Sequence, residues 1–148
     1  AVLTLIGPDG ERQLPIQDFI LGPGKTALNQ SEILVTISLK RSGYKSIFQK
    51  VGLRQSMAIS VANLAIVYSG KVGAFDYLKI ASGAVAPTVV TLDKLTSTIL
   101  DNTSKPHDWP LLIEADISPI DDIRATAKYR KQVVINWVQA FLRGELDD

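Results

Sequence analysis

The chain has 148 residues, 46% of them hydrophobic and 21% charged, and its 16 basic and 15 acidic side chains leave a net charge of +1. It is too apolar for a disordered chain and too interrupted by charge for the ~20-residue apolar run of a membrane span. Its scattered basic residues form no cationic stripe for nucleic acid. With no cysteine, disulfides, thiolate zinc sites and iron–sulfur clusters are excluded within the chain, and a reducing, cytoplasmic setting is permitted.

Ala1 to Gly7 reads as a strand, turned by Pro8-Asp9-Gly10 into a second strand over Glu11–Ile16. A chain that starts in the middle of a sheet pattern is expected to be a piece of a larger unit. Asp18-Phe19-Ile20 is expected as a helical turn, Gly22-Pro23-Gly24-Lys25-Thr26 as a loop, and Glu32 to Leu39 as a strand rich in β-branched residues. Lys45 to Val51 is expected to be a short helical or irregular connector.

Residues 58–68 and 77–86 are apolar runs joined by Ser69 to Ala74, long enough for a wide hairpin. Both runs are apolar on both faces, so one face should meet helices and the other a subunit or domain interface. Thr91 is the expected N-cap of a helix carrying Leu92, Leu95 and Ile99, and Pro106 and Pro110 mark a break. Trp109 to Ala115 should hold a short helix or turn. The last helix has two possible starts, at Ser118-Pro119 with Asp121 or at Thr126, and should end at Gly144. Tyr129, Val133, Trp137 and Phe141 advance by four and define its expected apolar face, with Val134 and Val138 beside them. The fold class expected is α+β, a small antiparallel sheet of three to four strands packed against two or three helices.

Few residues point to chemistry by themselves. His107 is the sole histidine, and with no cysteine or second histidine to join it, it is expected in an exposed loop. Gly24-Lys25-Thr26 imitates the end of a phosphate loop, but that motif needs a glycine at position 19, where Phe19 stands. Asp121 and Asp122 suit a helix start, with Arg124 able to pair with one of them, and Glu114 and Asp116 show no calcium-loop or glycosidase spacing. Lys50 and Arg54, four apart, read by themselves as the solvated face of a short helix.

Four motifs in order carry a resemblance. Gly10-x-Arg12-x-x-Pro15 with Asp18-Phe19 comes first, then Gly22-Pro23-Gly24-x-Thr26 before Glu32-Ile33-Leu34. Next comes Lys50-x-x-x-Arg54 with the runs Ala58–Tyr68 and Ile80–Thr88, and last Pro119-x-Asp121-Asp122-x-Arg124 with Tyr129-Arg130. Together they resemble the C-terminal part of the FAD-binding (medium) subunit of the molybdenum hydroxylases, the group of xanthine dehydrogenase and carbon monoxide dehydrogenase.

The resemblance implies that residues 1–40 are the terminal segment of an FAD-binding domain and residues 41–148 the flavoprotein C-terminal domain. It implies an oxidoreductase component, not catalytic alone, that helps enclose FAD and assemble an electron-transfer complex in the cytoplasm. Its partners would be the N-terminal half of the FAD domain, an iron–sulfur subunit and a molybdenum subunit, the last two carrying the clusters and the molybdenum cofactor. Lys50 would lie near the flavin ring, where a cation favours the negatively charged reduced form, and Arg54 would support that loop. The family's glycine-rich FAD-phosphate loop has no match here, so this chain alone is expected to hold FAD poorly or not at all. The alternative is a stand-alone protein-interaction module without cofactor, docking through the exposed sheet face, and a third reading is an independent small-molecule enzyme. Neither nucleic acid nor membrane is an expected partner.

Overall fold

A computed structural model describes residues 1–54 and 57–146, which divide into two compact units, Ala1–Ser42 and Gly43 onward. In the first unit, strands β1 (Val2–Gly7) and β2 (Gly10–Pro15) form a hairpin closed by the Gly7↔Gly10 pair, and β5 (Ile33–Ser38) adds to the other side of β1. Helix α1 (Ile16–Phe19) is a single turn. The side chains of β1 alternate as a half-buried strand requires, so Leu3 and Leu5 form a small core with Phe19. Arg12 locks this unit: Nε reaches Glu32 Oε1 at 2.7 Å, and Nη2 reaches Glu32 Oε2 at 2.8 Å and the Ala27 carbonyl at 2.7 Å. This is the two-pronged geometry that a guanidinium makes with a carboxylate.

The Gly22–Thr26 loop expected above is a tight hairpin. Short strands β3 (Ile20–Gly22) and β4 (Lys25–Thr26) pair across Pro23-Gly24, and Gly24 has φ +66°. Proline presets the first turn position and glycine takes the left-handed second one, so the two residues suffice to reverse the chain.

The second unit holds a four-stranded antiparallel sheet in the order β6 (Lys45–Gly52), β7 (Ser60–Lys71), β8 (Ala74–Gly83), β9 (Val90–Thr91). Three helices belong to it: α2 (Asp93–Leu100), α3 (Trp109–Glu114) and α4 (Ala127–Leu142). The expected α+β class with a small antiparallel sheet and helices is therefore the observed one. Ile47, Leu64, Ile66, Leu78 and Ile80 of the sheet share one core with Leu95, Ile113, Val134, Val138 and Phe141 of the helices. Each such side chain, fully buried, contributes about 1.5–3 kcal/mol. Tyr68, on the same sheet face, sits edge-on to Phe141 with centroids 5.1 Å apart.

Four expectations are corrected in this unit. Residues 45–51 are the edge strand β6, whose Ile47, buried in the core, pairs with Ile66; long-range pairing with β7 outweighs a weak local preference. The β7–β8 hairpin is tight, with Lys71↔Ala74 as its last pair, Val72-Gly73 as its loop and a register shift at Ser69/Gly70. Thr91 lies in β9 and does not cap α2; its Oγ1 donates instead to Asp93 Oδ2 at 2.7 Å, and Leu92 precedes the helix without a side-chain cap.

The fourth correction concerns α4, which starts after Thr126, the second of the two possible starts, with Thr126 Oγ1 accepting from the Tyr129 N–H at 3.2 Å. Its buried face is centred on Arg130, Val134, Val138 and Phe141, while Tyr129 is exposed and Val133 and Trp137 only half-buried. The face is rotated by about one residue from the expected one because a buried arginine belongs to it. Gly144, with φ +73°, follows the helix end as expected. Pro110 stands in the first turn of α3, where a missing N–H costs no helical hydrogen bond.

Candidate functional site

Successive residues of a strand point to opposite faces, so Ile47 toward the helices puts Phe48 and Lys50 on the opposite, outer face of the sheet. Lys50 is exposed and stands directly across from Asn63 of β7, which in turn pairs with Gly83 of β8. Among the described residues Lys50 enters no ion pair. Phe48, 63% exposed, pairs with Ala65, and Ala65 with Ala81.

The helix-face reading of Lys50 and Arg54 is overturned. Residues four apart are neighbours on a helix but lie far apart along a strand. What brings both to one place is the turn after Gly52, where the β6–β7 register shifts. A Cβ on Gly52 would stand 2.9 Å from that of Ala58, so glycine lets the two chain segments approach. Arg54 Nη2 donates to the carbonyl of Met57, three residues further on, at 2.8 Å. Lys50 and Arg54 border the same open groove of about 610 Å³, with Val51, Gly52 and Leu53 between them. A neighbouring groove of about 400 Å³ continues from Leu53 and Arg54 along Met57, Ala58 and Ile59 to Arg124.

Arg124 is held by Asp122, and Asp122 is the centre of a network that sequence reasoning saw only in part. Its Oδ1 accepts from the Arg124 N–H at 2.8 Å, the Ala125 N–H at 3.1 Å and Arg130 Nη2 at 2.6 Å, and its Oδ2 accepts from Arg124 Nη1 at 3.0 Å. The Arg124 N–H first, and then the Arg130 guanidinium, hold this carboxyl well below the ordinary range against the opposing effect of partial burial. Arg130 Nη1 goes on to the carbonyls of Val61 at 2.6 Å and Ala84 at 3.0 Å. The helix-start role expected of these aspartates falls to Asp121, which accepts from the Ala127 N–H, and the pairing expected of Arg124 is made with Asp122. Burial of Arg130 had one signal in sequence, its spacing of four from Val134 and eight from Val138.

The remaining chemistry-bearing residues stay apart. His107 is an exposed loop residue, its side chain 75% accessible and 3.2 Å from Asp108. Glu114 pairs with Lys131 and Asp116 with Lys94. Among the described residues no group of three His, Asp or Glu side chains forms a metal site, and no helix is long and apolar enough to cross a membrane.

Comparison with known proteins agrees with this architecture. The chain is 28% identical over 140 residues to the xanthine dehydrogenase FAD-binding subunit of Escherichia coli O157:H7, covering 90% of this chain and 48% of that protein. It is 27% identical over 149 residues to the carbon monoxide dehydrogenase medium chain of Hydrogenophaga pseudoflava, covering 97% of this chain and 52% of the relative. It thus spans about half the length of the curated relatives it matches. In fold it is similar to a solved structure of carbon monoxide dehydrogenase from Hydrogenophaga pseudoflava that lacks the Mo-pyranopterin moiety of the molybdenum cofactor. There the TM-score is 0.80 at 24% identity, over 96% of this chain and 51% of that one. The profile of the CO dehydrogenase flavoprotein C-terminal domain matches residues 47–144, well over half of the sequence, and the chain belongs to that family.

Proposed function

We propose that this chain forms one wall of the FAD site in the FAD-binding subunit of a cytoplasmic molybdenum hydroxylase, and helps assemble its electron-transfer complex. The observation that carries the reading is the match along 90% of the chain to a subunit named for FAD binding, together with Lys50 and Arg54 on one groove. FAD, when bound, supplies the relay by which electrons from a substrate-oxidising centre reach an acceptor. The residues here suit that group in kind: among the described residues, an ammonium at Lys50 with no ion pair, a carboxamide at Asn63 with no side-chain hydrogen bond, and an exposed Phe48 on the same outer face.

In this reading Lys50 faces the flavin ring and stabilises negative charge on it, and Arg54 shapes the loop by gripping Met57. The iron–sulfur and molybdenum centres belong to partner subunits. The chain alone is expected to hold FAD weakly, because no glycine-rich phosphate loop of the family's kind is present in the sequence.

A fluorescence titration of FAD tests this, first with the chain alone and then with the chain assembled with the remaining part of its FAD-binding subunit. Weak binding alone and tight binding in the assembly, lost or weakened in Lys50→Ala, is the expected result. An assembly with no affinity for flavin, or a Lys50→Ala variant with unchanged affinity and reduction potential, overturns the role given to this wall.

A further inference from the structure

Asparagine is poorly suited to the middle of a sheet, where its short polar side chain gains little packing. Yet Asn63 occupies the second of the four strands of its sheet, flanked on both sides by partners. Among the described residues, the hydrogen bond Asn63 adds to the strand ladder is at its backbone, where the carbonyl accepts from Ser82 Oγ at 2.8 Å. The carboxamide keeps both a donor and an acceptor. Asn63 is only half-buried, and its amide atoms are not sealed from the surface, so the carboxamide stays open to solvent or to a ligand on the outer face.

Its neighbours place that unused amide. On one side, directly across the ladder, stands Lys50; side chains so opposed have Cβ atoms about 4.5–5.5 Å apart. On the other side is Gly83, where a Cβ would lie 2.6 Å from Asn63 Oδ1 and 3.0 Å from Nδ2. The carboxamide therefore lies over β8 in space that only glycine leaves open, and any larger residue at 83 would push it aside. Lys50, Asn63 and Gly83 make one row on the outer face, and Phe48, Ala65 and Ala81 make the next.

We infer that Asn63 is a second ligand-facing residue of the wall that Lys50 belongs to. Its carboxamide, oriented by the bare backbone at Gly83, meets the donor–acceptor edge of the flavin ring. The inference rests on the reading that Lys50 faces FAD, and it extends that site from one strand to three. A cation on one strand and a two-way hydrogen-bonding group on the next match a planar heterocycle that carries carbonyl and N–H groups along one edge. Neither an aliphatic ligand nor a lone anion uses both functions of an amide.

The test uses the assembled FAD-binding subunit and three readouts: FAD affinity by fluorescence titration, the flavin absorption spectrum with its midpoint potential, and the thermal midpoint of the flavin-free protein. Asn63→Ala is expected to weaken FAD binding by about tenfold, the equivalent of one well-placed hydrogen bond. It should also shift the absorption bands and leave the flavin-free melting temperature in place. Gly83→Ala should do the same by displacing the carboxamide. Asn63→Asp, the same shape with a negative charge, should weaken binding further and lower the potential, and it keeps the test open if the alanine variant folds poorly.

If Lys50→Ala weakens FAD while both Asn63 variants bind and absorb like the parent, the inference falls and the reading of Lys50 stands. If neither position affects flavin, the reading of Lys50 falls and this inference with it. Weakened binding that only tracks a lower flavin-free melting temperature assigns Asn63 a structural role and also overturns it.

Discussion

Arg130 Nη2 donates to Asp122 Oδ1 at 2.6 Å from a side chain only 5% exposed, tying α4 to the segment that leads into it. The same guanidinium caps the carbonyls of Val61 and Ala84, at one end of β7 and just past the end of β8. Removing it leaves two carbonyls and a carboxylate short of a donor at once. Arg130→Met, which keeps length and apolar stem, should cost about 3–5 kcal/mol, the range for breaking a buried ion pair from one side. Arg130→Lys should recover little, because an ammonium lacks the planar fork that reaches several acceptors. Urea unfolding of both variants measures this, and a Met variant as stable as the parent would remove the clamp from the account of the fold.

Two carboxyls make stability pH-dependent in the same direction. The side chain of Arg12 first, and then the Asn29 N–H, lower Glu32 from an ordinary 4.5 to about 2, and Asp122 is held low by its donors. The unfolded chain takes up these protons near pH 4, about where free carboxylates titrate, and the folded protein only at lower pH. The stabilisation is therefore complete above that value and declines as pH falls, Glu32's share between 4.5 and about 2. Urea midpoints measured downward from about pH 6 should fall steeply below about pH 4. Asp122→Asn should flatten that fall while lowering the plateau.

Thr126→Ala tests the start of α4. The lost Oγ1 acceptor frees the Tyr129 N–H and should cost about 1 kcal/mol, a fall of about 2–4 °C in melting temperature for a chain of this length. Thr126→Ser should be near neutral. An unchanged melting temperature in the alanine variant would mean that the N–H finds another partner.

Phe141 is the aromatic hinge of the second core, stacked on Phe75 at 5.6 Å and edge-on to Tyr68. Phe141→Ala should cost about 3–5 kcal/mol through lost burial and the cavity left behind. Near-ultraviolet circular dichroism should lose signal, since Tyr68 loses its fixed neighbour. Phe141→Leu should retain most of the stability, and equal losses in both variants would point to strain in place of a cavity.

Much of the fold is legible in residues alone. Pro8-Asp9-Gly10 announces the first hairpin, and Ala1–Gly7 reads as a strand without help from its partners. The long apolar runs of β7 and β8 need no tertiary context to read as strands. The site was less legible. Lys50 and Arg54 were picked out through their place in an ordered set of motifs, yet read by local spacing as one helix face, when one lies on a strand and the other beyond it. Asn63 carried no signal in its own neighbourhood, because what singles it out is a register pairing with Lys50 and Gly83 on two other strands.

An ordered set of motifs resembles one family, while the residues by themselves determined the α+β class, the turn at Pro8-Asp9-Gly10 and the closing helix before Gly144. These follow from short-range physics: backbone restrictions at Pro and Gly, and the two periodicities of apolar residues. Only the tertiary structure decided that residues 45–52 pair as an edge strand, that α4 turns Arg130 inward, and that Lys50, Asn63 and Gly83 share a row. Those outcomes depend on register and burial, which are settled by partners tens of residues away, and local preference yields wherever the long-range contacts outweigh it.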